Sequence, residues 1–175
     1  MNQERYEDWV RVSFRWVRDT DRDKGLPHHI QMLGIVDAEL RDIRIPDLFS
    51  QDGKPLEDDD GILKLERAQI KAHLWVLGAY ELVRMISQRL RENPELAITE
   101  SRTAIDRAKS DLSRVRIPLA KLEASKRNEK TDYQVAYAGI GPAGLAWKVA
   151  DNTWVYQHDL SDSLWTALCA LKPQT

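Results

Sequence analysis

The sequence predicts an α+β fold that is mainly α: an antiparallel helical hairpin or bundle, then a small C-terminal β-hairpin with room for a third strand, and a closing helix. Two long segments with helical spacing of apolar residues joined by a short connection predict the helical hairpin. Alternating residues around a turn near the C-terminus predict the β-hairpin. With 175 residues we expect a single domain over 1–175, helical over 1–124 and β-hairpin plus helix over 132–175.

Two helices are predicted before the long hairpin. Residues 6–17 fit a helix through the spacing of Tyr6, Trp9, Ser13 and Val17, although the alternation that ends at Trp16 also fits a strand. We favour the helix because its neighbours are helical. The second helix is predicted from Ile30, Leu33, Val36 and Leu40, with Gly34 as a weak point.

The clearest helix is predicted over residues 62–91. One face carries Leu65, Ala68, Ala72, Trp75, Ala79, Leu82 and Ile86. A second apolar stripe carries Leu63, Ile70, Leu74 and Leu77. A helix that is apolar nearly all round is expected to be buried among others.

The next helix is predicted to begin at once, with Asn93 as the N-cap and Pro94 at the first helical position. Pro118 should bend or end this helix, because proline removes one backbone hydrogen bond. The apolar stripe of the helix consists of Ile98, Ile105, Ala108, Leu112, Val115, Leu119 and Leu122, with Ser101 filling a gap.

Strands are predicted over residues 145–149 and 153–156, around the two-residue turn Asp151-Asn152. Pairing across this turn would set Val149 opposite Trp154 and Trp147 opposite Tyr156. Residues 133–137 could add the third strand. Asp159 or Ser161 is expected to cap the closing helix.

Composition narrows the class of protein. Lys+Arg number 26 against 28 Asp+Glu, for a formal charge of −2, which is typical of soluble globular proteins. The longest apolar-dominated stretch, residues 74–80, is too short for a membrane span, and the acidic start does not resemble a secretory leader. We therefore expect a cytoplasmic protein without a membrane partner. No histidine or cysteine spacing suggests a metal, and no cofactor is expected.

A glycine-rich string resembles the dinucleotide fingerprint of flavin and nicotinamide enzymes. Its glycines are Gly139, Gly141 and Gly144. In those enzymes such glycines let the backbone approach a pyrophosphate at a helix N-terminus. The resemblance implies nucleotide or flavin binding, which requires a helix from residue 142 to 150. The alternative, which we favour, is a glycine-rich turn between two strands.

Arg67 and His73 stand six positions apart on the predicted long helix. The pair resembles the Arg–x(4–6)–His pattern of the HEPN ribonuclease family, whose helical bundles dimerise. The resemblance implies a metal-independent ribonuclease in which the cation stabilises the transition state and the histidine moves a proton. The alternative is a solvated arginine and a histidine at the edge of the core.

Glu81 lies in a largely apolar part of the long helix, so we expect it to be buried and paired. Arg84 is the nearest partner, and Arg107 or Arg114 of the next helix could also reach it. A structural ion pair is the favoured interpretation, and a residue lining a ligand pocket is the alternative.

Charge is uneven along the chain. Residues 37–66 hold ten acidic and four basic residues, whereas residues 100–130 hold nine basic and five acidic residues. The basic segment could attract nucleic acid, but no aromatic residues interrupt it, and the 6 tryptophans are spread along the chain as if each packed one element. We therefore expect a non-catalytic binding or assembly protein that forms a homodimer or binds a protein partner through a helical face.

Overall fold

The computed structural model describes residues 1–16, 24–43, 59–94, 98–141 and 143–171. These residues form a mainly helical α+β fold with a three-stranded antiparallel sheet near the C-terminus, as predicted. The helices are α1 (Gln3–Ser13, followed by the 3-10 turn Phe14–Trp16), α2 (Leu26–Arg41), α3 (Asp59–Glu92), α4 (Thr99–Lys121, followed by the 3-10 turn Lys126–Asn128) and α5 (Gln157–Cys169). The strands are β1 (Tyr137–Gly141), β2 (Gly144–Ala150) and β3 (Thr153–Tyr156).

The core is one cluster to which all five helices and β2 contribute buried side chains. The predicted core face of α3 is confirmed, since Ala72, Trp75 and Ile86 are almost fully buried. The expectation that α3 is buried on every side is wrong. Its second stripe points away from the core, with Ile70 and Leu74 well exposed.

The hairpin of α3 and α4 forms, but α4 begins later than predicted. Asn93 completes α3, because both its backbone N–H and its side-chain amide donate to the carbonyl of Arg89, at 2.9 Å and 3.2 Å. α4 begins at Thr99, after Ile98 at the N-cap. The helix continues through buried Pro118 and ends three residues later at Lys121, where Leu122 adopts a φ of 57°.

The N-terminal segment is helical, as favoured, and α1 packs directly on α2. The indole of Trp9 lies over Gly34, where a Cβ would overlap the Trp9 Cβ and lie 2.6 Å from its Cγ. Gly34 is therefore not a defect of α2, because its missing side chain makes room for Trp9. The helices are also tied at their ends, since the backbone N–H of Asn2 donates to the carbonyl of Ala38 at 3.1 Å.

The sheet has the order β1-β2-β3, and the predicted hairpin of β2 and β3 is confirmed. The third strand lies at Tyr137–Gly141, so the prediction of residues 133–137 was wrong by about one strand length. Before β1, the backbone N–H of Tyr133 also reaches the sheet by donating to the carbonyl of Val149 at 2.8 Å. β1 is therefore formed by the segment that contains Gly139 and Gly141, and residues 133–136 lie before it.

The predicted hairpin register is wrong by one residue. Lys148 pairs with Trp154 and Trp147 with Val155, because the ladder is irregular between Lys148 and Ala150. A one-residue slip moves side chains to the opposite face of a sheet. Trp147 therefore enters the core, whereas Trp154 lies on the other face and is exposed.

α5 begins at Gln157, directly after β3, and not at Asp159 or Ser161. The buried side chain of Gln157 binds Asp37, which fixes the chain where it leaves the sheet. Among the described helices, none combines the length and the apolar character needed to cross a bilayer.

Candidate functional site

The outward side of α3 carries an apolar stripe made of Leu63, Ile70, Leu74 and Leu77, which we call the α3 stripe. Ile70 is 59% and Leu74 63% exposed, whereas Leu77 is partly buried. Steps of seven, four and three residues place these side chains on one face of a helix. Exposed apolar side chains that share one face, as Ile70 and Leu74 do, are typical of protein interfaces.

Charged residues continue this face of α3 on either side of Leu74. Glu81 accepts a hydrogen bond from Arg84 Nε at 2.7 Å and lies 3.5 Å from Arg116 Nη2. The predicted partner Arg84 is thus confirmed, but the expected burial of Glu81 is wrong, since both side chains are nearly half exposed. Glu81 is exposed because it lies on the face of the stripe. Arg114, a predicted partner, binds Asp132 instead.

The pair Arg67 and His73 does not converge within one chain. Arg67 is exposed on α3, and six residues turn a helix by about 600°, so the two side chains lie on different sides of it. The His73 ring is partly buried and meets the Trp147 ring edge to face at 5.9 Å. Its Nδ1 lies 2.9 Å from the carbonyl of Gln69. The ribonuclease hypothesis needs a second chain and stays a prediction.

The three glycines of this string lie in two neighbouring strands. Gly139 and Gly141 belong to β1, and Gly144 begins β2 with a φ of 102°. The helix that a dinucleotide fingerprint needs after its glycines is therefore replaced by a strand. This agrees with the favoured alternative of a turn between two strands, since Gly141 ends β1 and Gly144 begins β2.

The sheet has an outer face, opposite the core, which carries aromatic side chains. Tyr137, Lys148 and Trp154 form one row across the three strands. The Trp154 ring reaches across the sheet, so that a Cβ on Gly139 would lie 3.0 Å from its Cζ3. The glycines of β1 thus leave room for the aromatic rings of β3 over this face of the sheet.

Asp37 of α2 is a fully buried acidic residue that the sequence reasoning missed. Asp37 is fully buried and accepts hydrogen bonds from Arg5 Nε at 2.7 Å, Trp9 Nε1 at 2.8 Å and Gln157 Nε2 at 3.0 Å. Arg41 Nε adds a contact at 3.3 Å. This carboxylate therefore joins α1, α2 and α5. The signal was present in the sequence, because Asp37 occupies the same helical stripe as the predicted core residues of α2.

Asp37 and its partners form a buried polar cluster, and the pKa values of Asp37 and of the nearby His158 are shifted. Burial alone would raise the pKa of Asp37, but hydrogen bonds from Ser161 and Arg5 and the charges of Arg41 and Arg5 outweigh it and hold the pKa below its usual value of 3.8. Burial lowers the pKa of His158 below 6.5, and the nearby Arg41 guanidinium adds to this effect. The fold thus favours an ionised Asp37 and a neutral His158.

We expect acid to destabilise the protein in two steps. The unfolded chain binds more protons than the folded chain below pH 6.5 at His158 and below pH 3.8 at Asp37, so the free energy of unfolding falls as the pH drops through each range. Urea unfolding midpoints measured between about pH 8 and about pH 3 would show this. His158→Gln should remove the first step and leave the second; an unchanged first step would contradict the assignment.

No three metal-ligating side chains come together in the part of the chain that the structure describes. Comparison with known proteins gave no match, whether with protein families, curated proteins or solved structures.

Proposed function

We propose that this chain is a non-catalytic assembly protein that forms a homodimer through the α3 stripe. The observation that carries the proposal is the exposure of Ile70 and Leu74 on the side of α3 that faces away from the core. No described residue covers these two side chains, and burying them against a second copy would remove their apolar surface from water. A helix of 34 residues is about 50 Å long, which is enough for an extended helix-to-helix interface.

The charges beside the stripe favour a second copy in antiparallel orientation. Arg67 precedes Leu74 by seven residues and Glu81 follows it by seven. A two-fold axis near Leu74 therefore brings Arg67 of one copy towards Glu81 of the other, and the same contact occurs twice. This self-complementarity supports a homodimer over an unrelated helical partner.

The proposal also includes a cytoplasmic location. The chain has a single cysteine, Cys169, and so forms no intrachain disulfide. Such a composition suits a reducing compartment.

We expect Leu74→Glu to convert the dimer to a monomer. The two-fold axis would place two buried, like-charged carboxylates at the centre of the interface, where each lacks a partner. Sedimentation velocity over a range of micromolar concentrations measures the change. The matched control is Met32→Glu, which introduces the same charge at an exposed apolar position of α2 and should leave the dimer intact.

A charge exchange tests the orientation. Arg67→Glu should weaken the dimer, and the double variant Arg67→Glu/Glu81→Arg should restore it, because the paired charges are exchanged together. A wild-type protein that sediments as a monomer at micromolar concentration would overturn the proposal, as would a Leu74→Glu variant that remains dimeric.

A further inference from the structure

We propose that the outer face of the sheet binds single-stranded nucleic acid. This inference is independent of the homodimer, since it uses the side of the sheet that carries Tyr137, Lys148 and Trp154. Tyr137 is 62% and Trp154 42% exposed, and Lys148 lies between them as the cross-strand partner of both. The row therefore has a cation at its centre and an exposed aromatic ring on either side.

The aromatic rings on this face are held in place by the residues beneath and beside them. Gly139 leaves room for Trp154, and a Cβ on Gly141 would overlap the Tyr156 hydroxyl and lie 2.8 Å from its Cε1. The rings of Tyr133 and Tyr137 meet edge to face at 5.7 Å, and the Tyr133 hydroxyl donates to Asp151. Rigid, partly exposed rings are suited to stacking with bases, because every base presents a flat π-face.

A cleft with charged walls begins beside the tyrosine pair. Its lining includes Asp132 and Gln134, the two neighbours of Tyr133 in the chain, together with the cations Lys121, Lys126 and Arg127. The acids of the cleft are partly neutralised, since Arg114 holds Asp132 through two bonds of 2.7 Å and 2.9 Å and Glu123 lies 3.5 Å from Lys121. The third acid of the lining is Glu129, so the lining itself holds three acids and three cations, and Arg114 adds a fourth cation behind Asp132. The fold therefore brings Lys126 and Arg127 of the basic segment near aromatic side chains, which the linear sequence did not show.

The charges on this surface select among possible occupants. A second copy docked by the same face about a two-fold axis would bring Lys148 near Lys148, which is unfavourable. A ligand with flat rings and regularly spaced negative charges matches aromatic side chains with a cation between them. Duplexes keep their base faces stacked on one another, so a single strand is the form that fits.

The test measures the fluorescence anisotropy of labelled oligonucleotides of about 12 nucleotides on titration with the full chain. Oligo-uridine and oligo-deoxythymidine are the single-stranded probes, and a duplex of the same length is the competitor. We expect Tyr137→Ala to weaken single-strand binding by roughly 5- to 100-fold. Lys148→Ala should also weaken it and lower the slope of log K against log salt by about 1. Tighter binding of one probe would show whether the natural ligand is RNA or DNA.

The control is Phe14→Ala, which removes an aromatic side chain of similar exposure from the end of α1 and should bind like the wild type. Thermal melting checks that every variant is folded. Because Tyr137 is exposed at a sheet edge, its removal is expected to leave the fold intact. Absence of binding to both probes at low salt would overturn the proposal, as would Tyr137→Ala binding as tightly as Phe14→Ala or a duplex that binds as well as a single strand.

Discussion

Asp37→Ala is expected to lower the free energy of unfolding by about 3–5 kcal/mol. The substitution removes a fully buried carboxylate that accepts bonds from Arg5, Trp9 and Gln157 and contacts Arg41. The donors of Trp9 and Gln157 would remain in the core without an acceptor, and two guanidinium groups would lose their buried counter-charge. Urea unfolding at neutral pH, followed by tryptophan fluorescence, measures the loss.

Glu39→Ala is the matched control, because Glu39 lies two residues further along α2 and pairs with Lys71 at 2.6 Å on the surface. Exposed ion pairs contribute about 0–1 kcal/mol, so this variant should be nearly as stable as the wild type. Asp37→Asn should be intermediate, since the amide oxygen can still accept a bond but the charge is gone. Equal stabilities of the Asp37→Ala and Glu39→Ala variants would show that the cluster does not hold the helices together.

Asp37 and Glu81 show what the sequence could and could not predict. Both acids stand among apolar neighbours, and we expected Glu81 to be the buried one. Composition around a residue says little about burial when a helix is apolar on two sides, because only the packing of other elements decides which side faces the core. The stripe that contains Asp37 was recognised as core, yet the acid within it was overlooked, although a polar residue in a predicted core stripe is a signal in its own right.

The tryptophans show a similar limit. Trp9, Trp75 and Trp147 are buried between elements, as their spread along the chain predicted. Trp154 is not, because the irregularity between Lys148 and Ala150 shifts the register of the hairpin by one residue. Such a shift depends on how β2 packs over the helices, and the turn residues Asp151 and Asn152 do not encode it.

Gly34→Ala is expected to destabilise the protein even though alanine is the better helix former. In the interior of an exposed helix this change would gain about 1 kcal/mol. At Gly34 the new Cβ would overlap Trp9, and overpacking of this kind costs about 1–3 kcal/mol or more. Trp9 is fully buried and its Nε1 is bonded to Asp37, so it cannot easily retreat. The urea midpoint measures the balance.

Gly25→Ala separates steric overlap from the other effects of replacing a glycine in the same helix. Gly25 is the N-cap of α2, has a φ of −86°, and an added Cβ there would meet no atom within 4 Å. Any change at Gly25 should therefore be small, because alanine adopts this conformation and also restricts the unfolded chain. If Gly34→Ala matched Gly25→Ala in stability, α1 would have to shift on α2 without cost. The close contact between Trp9 and Gly34 would then not fix how these two helices pack, and the bond from Trp9 to Asp37 would have to be the contact that does.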